Sequence, residues 1–247
     1  MHESNVTLTT ADGQLDTFIC HPEENGPHPA VIIYMDAPGI RDELRDMASR
    51  LATSGYYVML PNLYYRIGTE GNCGYDLTRI REDEKHLTRM HECRQSLSNE
   101  MIVRDTRALL DYCRTDAAAG SGPLGCVGYC MSGSFVCAVA SAYPDDFAAI
   151  ASFYGVGIIT DEADSPHLNA TRIKARSYLA FASDDPWVPP SVLEQLPAVI
   201  EKSGWDARIE IYPDTGHGFA FVQRADYKRW AGERHWERIL DLLGKSL

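Results

Sequence analysis

The chain reads as an α/β fold: a mostly parallel sheet with helices on both faces. Continuous apolar runs such as Ala30-Val31-Ile32-Ile33-Tyr34-Met35 are the pattern of strands buried on both sides. Segments with apolar residues three and four apart separate these runs, and strands that alternate with helices imply parallel crossovers.

The elements follow in order. Val6-Thr7-Leu8-Thr9 and Leu15-Asp16-Thr17-Phe18-Ile19-Cys20 flank Asp12-Gly13, which predicts an N-terminal antiparallel hairpin. A polar loop with Pro22, Gly26, Pro27 and Pro29 leads into a buried strand at 30–35. Leu44, Met47, Ala48, Leu51 and Ala52 form the apolar stripe of a helix over 41–54, and Gly55 supplies its stop. A second buried strand covers 56–60, and Pro61 ends it. Further on come a helix at 99–114, a strand at 124–129, a helix at 131–142 and strands at 148–154 and 177–182. A helix at 190–202, a strand at 207–212 and a helix at 230–243 complete the pattern. With no internal repeat, low-complexity tract or linker, the 247 residues are expected to form a single domain, 1–247.

The stretch 64–97 interrupts the alternation. It is polar, with Glu82-Asp83-Glu84 and with Arg66, Arg79, Arg81, Arg89 and Arg94. It reads as a helix-and-loop insertion. The insertion is either a solvated excursion or a rim over a cleft whose arginines meet an anionic substrate.

Hydrophobic content of 45% with 23% charged residues is ordinary globular composition. A net charge of −12 argues against nucleic acid and anionic membranes as partners. Residues 1–10 lack a basic stretch followed by an apolar run, and no segment is long and apolar enough to cross a bilayer. A cytoplasmic protein without a membrane partner is the expectation. The cysteines, at 20, 73, 93, 113, 126, 130 and 137, are odd in number and form no CxxC pair, which predicts free thiols. Cys113, Cys126 and Cys137 lie in apolar segments and read as small core residues. His86 and His91, near Cys93, are five residues apart and so do not share a helix face, and no metal site is expected. Gly155-Val156-Gly157 lacks the third glycine of a dinucleotide fingerprint, and no phosphate-binding GxxxxGK[ST] loop occurs, so no cofactor is implied.

Gly125-Cys126-Val127-Gly128-Tyr129-Cys130-Met131-Ser132-Gly133 is a short apolar strand, a small-residue turn and the start of an apolar helix. Such a strand-to-helix turn presents one reactive side chain, here the Cys130 thiol. Ligands of open parallel sheets gather beyond the carboxyl ends of the strands. The strand at 177–182 is followed by Ser183-Asp184-Asp185-Pro186-Trp187, and the strand at 207–212 by Pro213-Asp214-Thr215-Gly216-His217. Nucleophile, acid and histidine therefore arrive in the order of an α/β-hydrolase triad. His217 would take the thiol proton, and Asp185, with Asp184 as its competitor, would orient the imidazole. The Met131 N–H would face the oxyanion, with the Ala37 N–H after the strand at 30–35 as a second donor.

Val127-Gly128-Tyr129-Cys130, Phe153-Tyr154-Gly155, Asp185-Pro186-Trp187-Val188-Pro189 and Gly216-His217-Gly218-Phe219 resemble the dienelactone hydrolase (carboxymethylenebutenolidase-type) family, as does 55–64. The resemblance runs from about Pro29 to the C-terminus. It implies an α/β-hydrolase fold, hydrolysis of a small ester or lactone through a covalent acyl-enzyme, and a triad of Cys130, Asp185 and His217. General carboxylesterase or thioesterase activity, or ligand binding without turnover, are the alternatives. The protein is expected to act as a monomer or small homo-oligomer.

Three positions depart from the family pattern. Asp36 stands where a glutamate that helps activate the thiol is usual, and Ser132 stands for a glycine. Phe221 stands for a substrate-binding arginine four residues after the histidine. Arg224 lies close to Phe221 in sequence, and Arg81 is the candidate counterpart of a second arginine.

Overall fold

The computed structural model describes residues 1–80 and 82–247. They group into two compact units, Met1–Ser121 and Gly122–Leu247. Among the described residues there are eight strands and six α-helices.

In the first unit, β1 (His2–Thr10) and β2 (Gly13–His21) form the expected hairpin, with Thr10 paired to Gly13. β2 then pairs antiparallel with β4 (Tyr57–Pro61), and β4 pairs parallel with β3 (Ala30–Tyr34). Every residue of β3 and β4 is buried, as their unbroken apolar runs require. α1 (Asp42–Thr53) connects β3 to β4 and turns Leu44, Met47, Ala48, Leu51 and Ala52 inward. The segment 64–97 contains tight turns followed by α2 (Glu84–Gln95), whose first turn is capped by the Asp83 carboxylate accepting from the Lys85 N–H. α3 (Asn99–Cys113) follows, capped in the same way by Ser98, and its Thr106 hydroxyl meets that of Tyr34 on β3 at 2.7 Å.

The second unit is a four-stranded parallel sheet in the order β5 (Leu124–Tyr129), β6 (Phe147–Phe153), β7 (Arg176–Asp184) and β8 (Ala207–Gly216). α4 (Ser132–Ala142) and α6 (Arg229–Gly244) cover opposite faces of β6. Neighbouring strand residues point to opposite sides. Accordingly Phe153 stacks edge-on against His235 of α6 at 4.3 Å, while Ser152 lies against Gly133 of α4. α5 (Pro190–Ser203) links β7 to β8 and ends at Gly204 in the left-handed conformation. A 3-10 helix at Pro166–Arg172, which has no apolar periodicity to announce it, packs against α4.

Most element boundaries fall within two residues of the sequence expectation; the main difference is at β8. That strand continues four residues past Tyr212 to Gly216, because Ala182 pairs with Tyr212 while Asp184 pairs with Gly216. β8 thus carries two more residues than β7 over that interval. Asp214 takes a positive φ of 53° there, and the Thr215 hydroxyl donates to the Tyr212 carbonyl at 2.8 Å. Pro213, read as a strand stop, sits inside this bulge.

Candidate active site

At the end of β5 the chain reverses at Cys130, which has φ 56°, a conformation costly for a residue with a Cβ. The turn is held by its own backbone. The Cys130 N–H donates to the Phe153 carbonyl at 3.2 Å, and the Cys130 carbonyl accepts from Gly133 at 3.1 Å and Val156 at 3.0 Å. Two glycines make this closeness possible. A Cβ on Gly128 would overlap the Ser132 carbonyl and lie 2.8 Å from Val136 Cγ1, and one on Gly133 would overlap the backbone of Gly155. Ser132, buried, is accommodated where the resemblance has glycine. Six of the seven cysteines are buried, whereas Cys130 is half-buried. Burial pushes the Cys137 thiol up to about 12 and that of Cys126 well above its ordinary range, so both fit the core role read from the sequence.

The bulge in β8 sets the other two groups side by side. With Asp184 paired to Gly216, the next residues of the two strands are Asp185 and His217. His217 Nδ1 lies 2.8 Å from Asp185 Oδ2 and 3.0 Å from Oδ1. Asp185 Oδ1 also accepts the Trp187 N–H at 2.9 Å, which fixes the carboxylate plane. Asp184, the competing acid, is exposed. With Nδ1 bonded to Asp185, the nitrogen left for a further partner is Nε2, and Cys130 is close enough to act on the charge of the ring. Burial lowers the His217 pKa, but the hydrogen bond and charge of Asp185 and the influence of the Cys130 thiol outweigh it and push the imidazole up to about 9. An imidazole oriented by a carboxylate and set beside a thiol can move a proton off sulfur and return it to a leaving group.

Aromatic residues surround the histidine. Tyr154, itself at φ 40°, meets the His217 ring edge-on at 5.1 Å, and the exposed Trp187 ring lies 6.5 Å away. Sequence reasoning gave neither a role, although both stand inside the segments that carry the family resemblance. Tyr129, just before the nucleophile candidate, places its hydroxyl 2.8 Å from the Nε2 of buried His235, which ties the elbow strand to α6. Phe221 is fully buried and meets Tyr129 and Tyr154 edge-on at 5.0 and 6.1 Å. The Arg224 N–H donates to the Phe221 carbonyl at 3.0 Å, and the Arg224 side chain runs beside Gly218. Arg81 lies outside the described residues.

Asp36 and Ala37 belong to the first unit, in the turn after β3. Asp36 is buried, and Arg41 grips it with both guanidinium arms, Nη1 to Oδ1 at 2.6 Å and Nη2 to Oδ2 at 3.1 Å. The same guanidinium reaches Glu43 at 3.0 Å. This pair was not anticipated from sequence, because Arg41 reads only as a helix-start residue. The residues after Ala37, Pro38-Gly39-Ile40, line a 430 Å³ cavity in this unit together with Tyr64, Cys73, Tyr75 and Leu77. His86 and Cys93 are used locally: His86 Nδ1 accepts the Asp76 N–H at 3.2 Å, and the Cys93 thiol donates to the Cys73 carbonyl at 3.6 Å. Among the described residues no group of three His, Cys, Asp or Glu is arranged to hold a metal ion, and no helix is long and apolar enough to cross a membrane.

Comparison with known proteins agrees with this architecture. The family model described as "Dienelactone hydrolase family" matches residues 15–247. A Synechocystis sp. protein provisionally named a carboxymethylenebutenolidase is 27% identical over 245 residues, covering 98% of this chain and 96% of the relative. The crystal structure of a provisionally named dienelactone hydrolase from Klebsiella pneumoniae superposes with a TM-score of 0.86 at 21% identity, covering 98% of each chain. That of a dienelactone hydrolase from Anabaena variabilis gives 0.70 at 16% identity, covering 100% of this chain and 98% of the other. The chain has the α/β-hydrolase fold and belongs to the dienelactone hydrolase family.

Proposed function

Within the dienelactone hydrolase family, we propose that this chain hydrolyses a small carboxylic ester or lactone through Cys130, His217 and Asp185. The observation that carries the reading is His217, bonded through Nδ1 to Asp185 and pushed up in pKa by both Asp185 and the elbow thiol. The Cys130 Sγ–H proton passes to His217 Nε2 as sulfur attacks the carbonyl carbon. Asp185 accepts from Nδ1–H throughout, which keeps Nε2 free to act and stabilises the imidazolium. The Met131 N–H holds the negative oxygen of the tetrahedral intermediate. Collapse breaks the ester C–O bond, leaves a Cys130 thioester and returns the proton from His217 to the departing alkoxide; in a lactone that alkoxide stays attached to the acyl chain. Water, deprotonated by His217, then attacks the thioester, and the carboxylic acid leaves as Cys130 recovers its proton.

Phe221 favours a substrate without a carboxylate. A buried phenyl ring enclosed by Tyr129 and Tyr154 offers an anion no partner, where an arginine would pair with it. Neutral p-nitrophenyl esters are therefore expected to turn over with higher kcat/KM than an anionic lactone, and a reversed preference would remove this specificity. For the reaction itself, Cys130→Ala is expected to abolish turnover of p-nitrophenyl acetate, and rapid-quench mass spectrometry of the parent protein to find an acetyl group on Cys130. Retained turnover in Cys130→Ala would refute the mechanism.

A further inference from the structure

Among the described residues, four that are not glycine take a positive φ: Asn25, Cys130, Tyr154 and Asp214. Asparagine and aspartate tolerate that region, whereas cysteine and tyrosine do not. Cys130 is explained by the elbow it forms. Tyr154, at φ 40° directly after β6, forms no elbow of its own, and a bulky side chain persists there only where its surroundings over-determine it.

The backbone around Tyr154 supplies that constraint. The Tyr154 N–H donates to the Ala180 carbonyl of β7 at 2.8 Å. On either side of it, the Phe153 carbonyl accepts the Cys130 N–H at 3.2 Å, and the Val156 N–H donates to the Cys130 carbonyl at 3.0 Å. Both backbone polar groups of Cys130 are therefore tied to residues that flank Tyr154. Gly155 presses so close to α4 that a Cβ there would overlap Ser152 Oγ and lie 2.7 Å from Gly133 Cα. The segment 153–156 has no room to shift against the elbow.

The side chain reaches the other way. The buried Tyr154 ring meets His217 at 5.1 Å, Phe219 at 5.0 Å and Phe221 at 6.1 Å, so the chain after β8 wraps around it. Asp185 fixes one edge of the imidazole through Nδ1, and a ring held at one edge can still rock about it. An aromatic ring packed against the imidazole removes that freedom.

We propose that Tyr154 is a positioning residue for the hydrolytic reaction: its backbone is locked to both sides of Cys130, and its ring buttresses His217, which sets the imidazole's distance from the sulfur. The proposal rests on the reading of Cys130 as nucleophile and His217 as base. It gives the unfavourable φ a purpose, because a glycine would satisfy the backbone there and leave the imidazole unsupported.

The test uses that substitution. In Tyr154→Gly, kcat for p-nitrophenyl acetate is expected to fall about thirtyfold with KM within about twofold. The pH midpoint of Cys130 alkylation by iodoacetamide, followed by mass spectrometry, is expected to rise by about half a unit or more, since a displaced imidazole no longer supports the thiolate. Tyr154→Phe keeps the ring and should restore kcat to within about threefold and the midpoint to that of the parent protein. Tyr154→Leu, which keeps apolar bulk without an aromatic ring, takes the place of the glycine variant should that one not fold. Unchanged kcat or an unshifted midpoint in the ring-deleted variant would overturn the proposal, as would lost activity in Tyr154→Phe. Cys130→Ala run alongside keeps two failures apart. Retained turnover there removes the hydrolytic mechanism, whereas lost turnover there with an undiminished Tyr154→Gly removes the positioning role alone.

Discussion

The turn at Cys130 and the turn at 36–39 are built in opposite ways. The Cys130 turn is held by neighbours in the chain and by close backbone contact: its carbonyl is bonded within three residues to Gly133, and Gly128 and Gly133 remove side chains that would separate helix from strand. The 36–39 turn is held by the hydroxyls of Tyr64 and Tyr75, which donate to the Ala37 and Pro38 carbonyls from 27 and 37 residues away along the chain. The first is specified by local sterics, the second by tertiary hydrogen bonds. A steric device should therefore fail abruptly when a single methyl group is added, and a hydrogen-bonded one should loosen by degrees.

The abrupt failure is the largest effect expected. In Gly133→Ala the new methyl would overlap the Gly155 backbone and lie 2.8 Å from Ser152 Oγ, and backbone cannot step aside as a flexible side chain can. A loss of about 3 kcal/mol or more in urea unfolding is expected, with ester turnover gone. Gly122→Ala is the control, because a Cβ there meets nothing within 4 Å; it should stay within about 0.5 kcal/mol of the parent protein. Equal stability of the two variants would show that the elbow is not sterically specified.

Next in size is the loss of the carboxylate that faces His217. Asp185→Asn should lower kcat by about a hundredfold or more, since the imidazole loses both its orientation and its counter-charge. The same change has a signature in stability against pH. His217 is pushed up to about 9 from an ordinary value near 6.5, so its protonated form contributes stability that is fully present below about pH 6.5. That contribution disappears as pH rises through about 9. Removing Asp185 removes the hydrogen bond that raises it most, so Tm should fall less in Asp185→Asn than in the parent protein between pH 6 and 9.5. Parallel Tm curves would mean that Asp185 does not hold the proton on His217.

The same contrast explains which parts were legible in the sequence. Buried strands announce themselves by unbroken apolar runs and the covering helices by their stripes, so β3 to β8 and α1, α3, α4, α5 and α6 could be placed to within a few residues. Cys130, Asp185 and His217 could be picked out because each follows a strand, and a strand's end is a local property. The two additional residues in β8 could not be read, since Pro213 looks like a strand stop and only the pairing with β7 shows that it sits in a bulge. Arg41, Tyr64 and Tyr75 were invisible for a related reason. A helix-start arginine and two tyrosines of a polar insertion gain their roles from a partner across the fold, and no spacing records that partner.

Asp36 is where the two turns make competing claims, and it should give the smallest effect. By resemblance it would help draw the proton from the Cys130 thiol. In its own turn, both of its oxygens accept from Arg41, which also holds the Gly39 carbonyl. A carboxylate that acts on the thiol must change the pH at which sulfur becomes reactive when its charge is removed, whereas a tether need not. In Asp36→Asn one oxygen can still accept from Arg41 and the fork is lost, so the turn should loosen without coming undone. We expect the midpoint of iodoacetamide alkylation to stay within about 0.3 pH units of the parent protein, and kcat for p-nitrophenyl acetate to fall about threefold. An upward shift of the midpoint by a full unit would assign Asp36 to the thiol instead.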